Sequence, residues 1–122
     1  MDYRFPFEKL RVWQLSRQFV KEIYEITKGF PKEEQYCLTN QMRRAAISLT
    51  SNLAEGSSRS SSRDQAHFTN MAYGSLMELL NQLYIAFDLK YLNEDILSKT
   101  KDITFEISNY LNSLKKSQIK SC

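Results

Sequence analysis

The apolar residues of this chain recur roughly every three to four positions along almost its whole length, which is the period of an α-helix. Only three stretches interrupt that period, at residues 29–31, 56–61 and 92–93, where glycine, proline, serine or asparagine favours a turn. With three glycines and two prolines in 122 residues, the sequence offers few other places to break a helix. The pattern therefore predicts an all-α chain with four long helical segments.

The four predicted helices leave only short connections between them. They cover residues 7–28, residues 32–55 with an irregular first turn near Cys37, residues 61–91 with Ser61 as the N-cap, and a last segment that begins after the cap Asn93. Gly56 is expected to end the second helix in the left-handed conformation that glycine favours. Short connections place consecutive helices side by side in opposite directions, so the expected fold is an antiparallel up-down-up-down four-helix bundle.

Composition places the chain among ordinary globular domains, with 42% hydrophobic and 25% charged residues. Residues 1–122 are expected to form one domain with a flexible basic tail at about 115–122. No apolar run is long enough to span a bilayer and no export signal is present, so we expect a cytoplasmic protein with no membrane partner. Cys37 and Cys122 have neither a disulfide nor a metal-site spacing, so no metal and no cofactor is expected.

The second and third helices carry a polar stripe beside their apolar one. The polar residues assigned to this network are Gln41, Arg44, Ser48, Asn52, Glu55, Glu78 and Gln82. An ion pair between Arg44 and Glu78 is within reach of those side chains. Both a ligand-binding pocket and a hydrogen-bonded network that fixes helix register fit this pattern. The network is favoured because no base, nucleophile or metal ligand accompanies the stripe.

The third helix is also apolar on a second side, and Glu78 is its only formally charged residue between positions 65 and 87. The far side of the second helix, with Arg43 and Ile47, is likewise suited to another chain. One bundle of this length has room to cover a single apolar side, so we expect a homo-oligomer held together by these two helices. The residues assigned to the oligomer interface are Ile47, Tyr73, Met77, Leu80 and Tyr84.

The sequence lacks several motifs that mark common active sites. These are the glycine-rich phosphate loop, the paired zinc motif and the nucleophile elbow. The one histidine, His67, follows Arg63 on the predicted third helix, and a single histidine on a helix face is usually structural. A hydrolase or nuclease resting on these two residues is the weakest functional hypothesis. We therefore predict that the protein is not an enzyme and has no catalytic residues.

Short motifs between residues 10 and 83 carry a resemblance to a known family. They are L-x-V-W at 10–13, F-P-x-E-E at 30–34, Q-x-R-R-A-A-x-S at 41–48, S-N-x-A-E-G at 51–56 and G-S-x-x-E-L-x-x-Q-L at 74–83. Over about residues 7–92 the chain resembles the four-helix bundle proteins encoded within intervening sequences of bacterial 23S ribosomal RNA genes. The accessory variability determinant of diversity-generating retroelements is related to this family and shares its fold. The resemblance implies an antiparallel bundle that assembles into a ring, with the homopentamer as the associated form, and it implies no catalytic residue.

Two functions stay open on these grounds. The first is an oligomeric scaffold that binds RNA or DNA, because the formal charge of +3 per chain adds up in a ring and weak phosphate contacts combine. The residues assigned to nucleic-acid binding are Arg59, Arg63, Lys115, Lys116 and Lys120. The resemblance adds that the retroelement relative binds a reverse transcriptase and nucleic acid through a basic surface. The alternative is a protein-interaction adaptor for a separately encoded enzyme, with no direct contact to nucleic acid.

Overall fold

A computed structural model describes residues 2–120 of the chain. Its four α-helices are α1 (Arg11–Thr27), α2 (Leu38–Ser57), α3 (Ser62–Asp88) and α4 (Glu94–Lys120), and two short 3-10 helices, Pro6–Lys9 and Lys32–Glu34, precede α1 and α2. No strand occurs among the described residues. The prediction of an all-α chain with four helices is therefore confirmed.

The four helices pack around one apolar core. α2 and α3 share the most extensive contact, α4 packs on α3, and α1 packs on α2 and to a smaller extent on α4. Each helix contributes a fully buried side chain at the centre, such as Phe19, Leu49, Leu76 and Ile107. The apolar stripes predicted for the second and third helices are confirmed by the buried residues Met42, Ala45, Leu49, Leu53, Ala72, Leu76, Leu79, Leu83 and Ala86.

Two of the predicted helix starts are confirmed at the level of single hydrogen bonds. Ser61 lies just before α3, and its hydroxyl accepts a hydrogen bond from the backbone N–H of Asp64 at 3.1 Å. Asn93 lies just before α4, and its Oδ1 accepts from the backbone N–H of Ile96 at 2.9 Å. Each cap satisfies a backbone donor that has no acceptor within its own helix.

Gly56 has a different role from the predicted one. α2 continues to Ser57, and Gly56 is a buried position inside the helix without a left-handed backbone. A Cβ atom at this position would lie 2.8 Å from the Cβ atom of Phe68 on α3. The site therefore requires glycine because α3 approaches α2 this closely, and not because the helix ends there.

α3 ends at Asp88, earlier than the predicted end near Tyr91. Lys90 has a φ angle of 65°, its N–H donates to the carbonyl of Phe87, and the N–H of Tyr91 donates to the carbonyl of Ala86, both at 2.9 Å. These two hydrogen bonds around a left-handed residue form a Schellman motif, which uses backbone groups alone. The end of α3 could not be predicted from the sequence, because Lys90 occupies the left-handed position where glycine is usual.

The starts of the first two helices also differ from the prediction. Short 3-10 segments replace the first turns expected for the first two helices, and Cys37 has the irregular backbone predicted for the start of α2. α4 is helical as far as Lys120, so residues 115–120 of the expected flexible tail form helix in this structure. Residues 121–122 lie outside the described part of the chain.

Candidate functional site

The connection between α2 and α3, the segment before α1 and the last turns of α4 meet at one end of the bundle. The residues that line a cleft between these segments are Leu10, Ser57, Gln65, Leu114, Ser117 and Gln118. The hydroxyl of Thr69 on α3 donates to Oε1 of Gln118 on α4 at 2.7 Å, which ties the start of α3 to the end of α4. We call this region the basic end and define it as residues 5–11, 55–64 and 113–120.

Positive charge is concentrated at the basic end. Its cationic residues are Lys9, Arg11, Arg59, Arg63, Lys115, Lys116 and Lys120, and its acidic residues are Glu8, Glu55 and Asp64. At the opposite end, residues 25–38 and 88–99 contain Lys28, Lys32, Lys90 and Lys99 together with Glu25, Glu33, Glu34, Asp88, Glu94 and Asp95. The formal charge is thus positive at the basic end and negative at the other. All five cations predicted to bind nucleic acid lie at the basic end.

Arg59 lies on the exposed connection between α2 and α3 and is held by contacts within the chain. Its Nη2 lies 3.6 Å from Oε2 of Glu55, and its guanidinium carbon lies 4.6 Å from the ring centre of Phe68. Nε2 of Gln65 donates to the Arg59 carbonyl at 2.9 Å, which orders the connection. Stacking on a ring leaves the edge of a guanidinium able to donate to a phosphate.

The other four predicted cations differ in how much of each side chain is exposed. Arg63, Lys116 and Lys120 are exposed, whereas Lys115 is half-buried in a cleft beside Tyr73. Because α4 is helical here, Lys116 and Lys120 lie one turn apart on the same helix face. These two cations therefore project from an ordered helix.

The predicted polar network is present in part along the seam between α2 and α3. The hydroxyls of Ser48 and Ser75 share a hydrogen bond of 2.9 Å, and Nδ2 of Asn52 donates to the carbonyl of Ser48 at 3.0 Å. Gln82 is buried, and its Nε2 lies 3.4 Å from Oε2 of Glu78. The two helices thus meet through short hydroxyl side chains, which supports the structural interpretation of the stripe.

The structure corrects the expectation of an ion pair between Arg44 and Glu78. No such pair forms among the described residues, and both side chains are exposed. Gln41 is exposed as well, and Glu55 pairs with Arg59 at the basic end. Because the seam is closed by serines, the longer side chains at its edge extend past it into solvent.

The second apolar side of α3 is partly covered by the chain itself, in contrast to the expectation. Tyr73 and Met77 are half-buried and pack against the core. Tyr84 is 40% exposed, and the ammonium of Lys101 on α4 lies 5.3 Å from its ring centre. Hydrogen bonding to Tyr84 raises the pKa of Lys101 above its ordinary value. α4 therefore shields part of this side, while Ile47 on α2 stays exposed.

A second positively charged feature, which the sequence analysis missed, lies on α1. The residues that line this cleft of about 310 Å³ are Tyr3, Arg11, Gln14, Arg17, Gln18 and Lys21. Positions 11, 14, 18 and 21 share one helix face, so a signal was present in the sequence. That signal does not by itself predict a site, because charges on an exposed helix face are usually solvated. The face becomes a cleft because the segment containing Tyr3 lies beside it. We call it the α1 cleft.

His67 is exposed and packs edge-on against Phe68, with the two ring centres 5.7 Å apart. Within residues 2–120, no three histidine, cysteine, aspartate or glutamate side chains are grouped so as to hold a metal ion. The helices of that same range all lack the combination of length and apolarity needed to cross a bilayer. The basic end and the α1 cleft both concentrate positive charge. Both surfaces therefore attract anions.

Comparison with models of protein families gives a match that spans most of the chain. Residues 8–113 match the family described as 23S rRNA-intervening sequence protein. The match includes α1, α2 and α3 and all of α4 except its last two turns. The chain matches none of the curated proteins with which it was compared. The family indicated by the sequence motifs is confirmed, whereas the relation to the accessory variability determinant stays a prediction.

Proposed function

The chain belongs to the 23S rRNA-intervening sequence protein family, and from this membership and the charge of the basic end we propose that it is a nucleic-acid-binding scaffold. In the proposed form the chain is an antiparallel up-down-up-down bundle. Several copies assemble into a ring-like homo-oligomer, for which the resemblance implies a pentamer. The proposed role is the binding of RNA or DNA in the cytoplasm, without catalysis.

The observation that carries this proposal is the segregation of charge along the bundle. Cations from three separate parts of the chain meet at the basic end, whereas acidic residues outnumber basic ones at the opposite end. A surface with this polarity attracts a polyanion to one end and repels it from the other. Each cation placed near a phosphate releases counterions, and this release supplies most of the affinity that does not depend on sequence.

Assembly strengthens the proposed binding because the contribution of one chain is small. With a formal charge of +3 per chain, a ring of five carries about +15. Copies whose basic ends lie on one face of a ring can contact the same polynucleotide, and their weak contacts then combine through multivalency. The scaffold and the oligomer are thus parts of one proposal.

We place the contact between copies on the outer side of α2 and α3. Ile47 is 43% exposed there, and Leu80 and Tyr84 are the other accessible members of the predicted interface. Gly74 is exposed in the middle of α3, and a Cβ atom at this position would meet nothing within 4 Å. Glycine in a helix interior is less favourable than alanine by about 0.5–1 kcal/mol. Close approach of a second copy would account for a glycine that packing within the chain does not require.

Charge reversal at the basic end tests the proposal. Arg63→Glu combined with Lys116→Glu changes two exposed cations, and Lys32→Glu combined with Lys90→Glu makes the same change in net charge at the opposite end. We expect the basic-end variant to bind a labelled RNA more weakly and with a shallower salt dependence, because fewer counterions are released. The control variant should keep both properties. Fluorescence anisotropy at several salt concentrations measures them.

Equal losses in the two variants would show that net charge matters and the basic end does not. A lack of binding by the unmodified protein would overturn the proposal. Size-exclusion chromatography with light scattering and ultraviolet absorbance provides an independent measurement on protein purified without nuclease. A multimer that carries nucleic acid supports the scaffold, and a monomer contradicts the ring.

A protein-interaction adaptor for a separately encoded enzyme is the second candidate, and exposed aromatic residues away from the basic end favour it. Tyr36 is 85% exposed, and Phe105 is 69% exposed. Aromatic side chains are enriched in the centres of protein interfaces. An affinity for a protein that persists at high salt, combined with no affinity for RNA at low salt, would favour the adaptor.

A further inference from the structure

The α1 cleft and the basic end share Arg11, the first residue of α1. From Arg11 to Lys21 the helix rises about 15 Å, at about 1.5 Å per residue. The positively charged surface therefore continues from the end of the bundle along its side. A polynucleotide bound at the basic end has a cationic path along α1.

We propose that the α1 cleft binds an unpaired nucleotide of a single-stranded nucleic acid, an inference that rests on the function proposed above. The cations contact the phosphates, and Tyr3, which is 40% exposed, stacks on the base. A volume of about 310 Å³ is at the lower end of the range of small-molecule sites, and this size suits a single nucleotide. Cationic grooves with aromatic stacking platforms are the general means by which proteins bind single strands.

The side chains that line the α1 cleft are positioned by contacts within the chain. Nε2 of Gln14 donates to the backbone carbonyl of Glu8 at 2.9 Å, which fixes the orientation of this amide. The guanidinium carbon of Arg17 lies 5.5 Å from the ring centre of Trp13. Such preorganisation reduces the entropy that is lost when a ligand binds.

Uncompensated charge at the α1 cleft comes from Arg11 and Lys21. Both side chains are exposed, and within residues 2–120 neither forms an ion pair with an acidic side chain. No carboxylate lines the cleft. The neighbouring cleft between α1 and α4 differs, because Glu22 and Glu25 line it together with Lys21 and Lys99, and Glu22 pairs with Lys99 at 3.2 Å. Carboxylates therefore balance the positive charge of the neighbouring cleft, whereas the positive charge of the α1 cleft is unbalanced and attracts phosphate.

Two sets of variants test the site. Arg17→Glu combined with Lys21→Glu reverses charge at the cleft and leaves Arg11, which the cleft shares with the basic end, unchanged, and Lys32→Glu combined with Lys90→Glu is the matched control. The probes are labelled oligouridylate and oligothymidylate, which distinguish RNA from DNA, and a labelled duplex. We expect the cleft variant to lose about tenfold in affinity for the single strands at low salt, while the control variant is unchanged. A loss with either single strand supports the site and identifies the polymer that it takes.

Stacking by Tyr3 is tested separately from charge. We expect Tyr3→Ala to weaken single-strand binding about tenfold and to leave duplex binding unchanged, and we expect Tyr3→Phe to restore the affinity. Equal losses for single strand and duplex would overturn the stacking role. Circular dichroism verifies that each variant is folded.

The outcomes separate the α1 cleft from the basic end. If Arg63→Glu with Lys116→Glu weakens binding and neither cleft variant does, the basic end binds nucleic acid and the proposal for the cleft is overturned. If the unmodified protein binds none of the probes, both proposals are overturned.

Discussion

Gly56 and Gly74 both lie inside helices, but only Gly56 faces a neighbouring helix at close range. A Cβ atom at position 56 would lie 2.8 Å from the Cβ atom of Phe68, whereas one at position 74 would meet nothing within 4 Å. Because the Cβ atom of Phe68 is bonded directly to the backbone, α2 and α3 have to move apart to admit a side chain at position 56. The two glycines therefore respond to the same substitution in opposite ways.

We expect Gly56→Ala to lower the free energy of unfolding by about 1–3 kcal/mol, the usual range for overpacking. In a separate chain, Gly74→Ala should raise the free energy of unfolding by about 0.5–1 kcal/mol, because alanine favours an exposed helix, and the proposed contact between copies opposes this gain. Urea unfolding followed by circular dichroism, at one protein concentration, measures both effects. A stabilising Gly56→Ala would contradict the close contact. A destabilising Gly74→Ala would indicate that a second copy packs on this glycine.

Tyr91 joins the two chain connections at the end opposite to the basic end. Its hydroxyl donates to Oε2 of Glu34 at 2.8 Å, and its ring centre lies 5.3 Å from that of Phe30. The hydrogen bond to Glu34 raises the pKa of Tyr91 above its ordinary value of 10.0, with smaller contributions from burial and from the charges of Glu34 and Glu33. The folded state thus favours the protonated hydroxyl.

The raised pKa of Tyr91 makes stability depend on pH in the alkaline range. A group whose pKa is higher in the folded state stabilises the fold below its unfolded pKa and loses this contribution as the pH rises through its folded pKa. We expect the free energy of unfolding to decrease above about pH 10. The decrease should be smaller in Tyr91→Phe, whereas Tyr36→Phe, at a side chain 85% exposed, serves as the control. An equal decrease in unmodified protein and Tyr91→Phe, measured by urea unfolding, would contradict this origin.

At the scale of the helices, periodicity places residues around one helix but does not say which neighbour each side meets. The buried stripe from Met42 to Leu53 was predictable, because apolar residues repeat there with the helical period. Arg43 was expected on a side facing other copies, yet its Nε donates to Oγ1 of Thr27 on α1 at 2.9 Å and its guanidinium carbon lies 4.5 Å from the ring centre of Tyr24. An arginine at the border of an apolar stripe gives the same sequence pattern whether it contacts a neighbouring helix of its own chain or another copy.

The seam between α2 and α3 allows a prediction that distinguishes exposed from buried charge. An arginine left unpaired in the interior would lower stability by about 3–5 kcal/mol. Because Arg44 and Glu78 are exposed, we expect Glu78→Gln to change the free energy of unfolding by less than about 1 kcal/mol. Ser75→Ala, which removes the hydrogen bond to Ser48, should lower it by about 1 kcal/mol. A loss of several kcal/mol in Glu78→Gln, measured by urea unfolding, would show that a buried ion pair forms.

At the scale of the whole molecule, the distribution of charge arises from the order of the helices, since a formal charge of +3 is modest for this length. The five cations predicted to bind nucleic acid lie on two separate segments of the sequence. Their convergence required the contact between Thr69 and Gln118, which brings the end of α4 to the start of α3. The α1 cleft required a further step, because the N-terminal segment containing Tyr3 forms its wall. Neither feature follows from composition or periodicity along one helix.

Assembly of the whole molecule is testable at exposed positions that leave the core intact. Tyr73 and Met77 are unsuitable, because both pack against the core of their own chain. A charge at either position would weaken the fold and the proposed assembly together. Ile47 on α2 and Phe105 on α4 are better placed, at 43% and 69% exposure. Glutamate at these positions can therefore separate assembly from folding.

We expect Ile47→Glu to convert the oligomer into single chains, because the new charge would be stranded in an apolar contact between copies. Phe105→Glu is the control and should leave the assembly unchanged. Light scattering on a size-exclusion column gives the mass of each variant, and circular dichroism shows whether the helices are retained. A full assembly in Ile47→Glu would show that the copies meet elsewhere. Dissociation in Phe105→Glu alone would assign the contact to α4, which would then turn the outer side of α2 and α3 toward solvent.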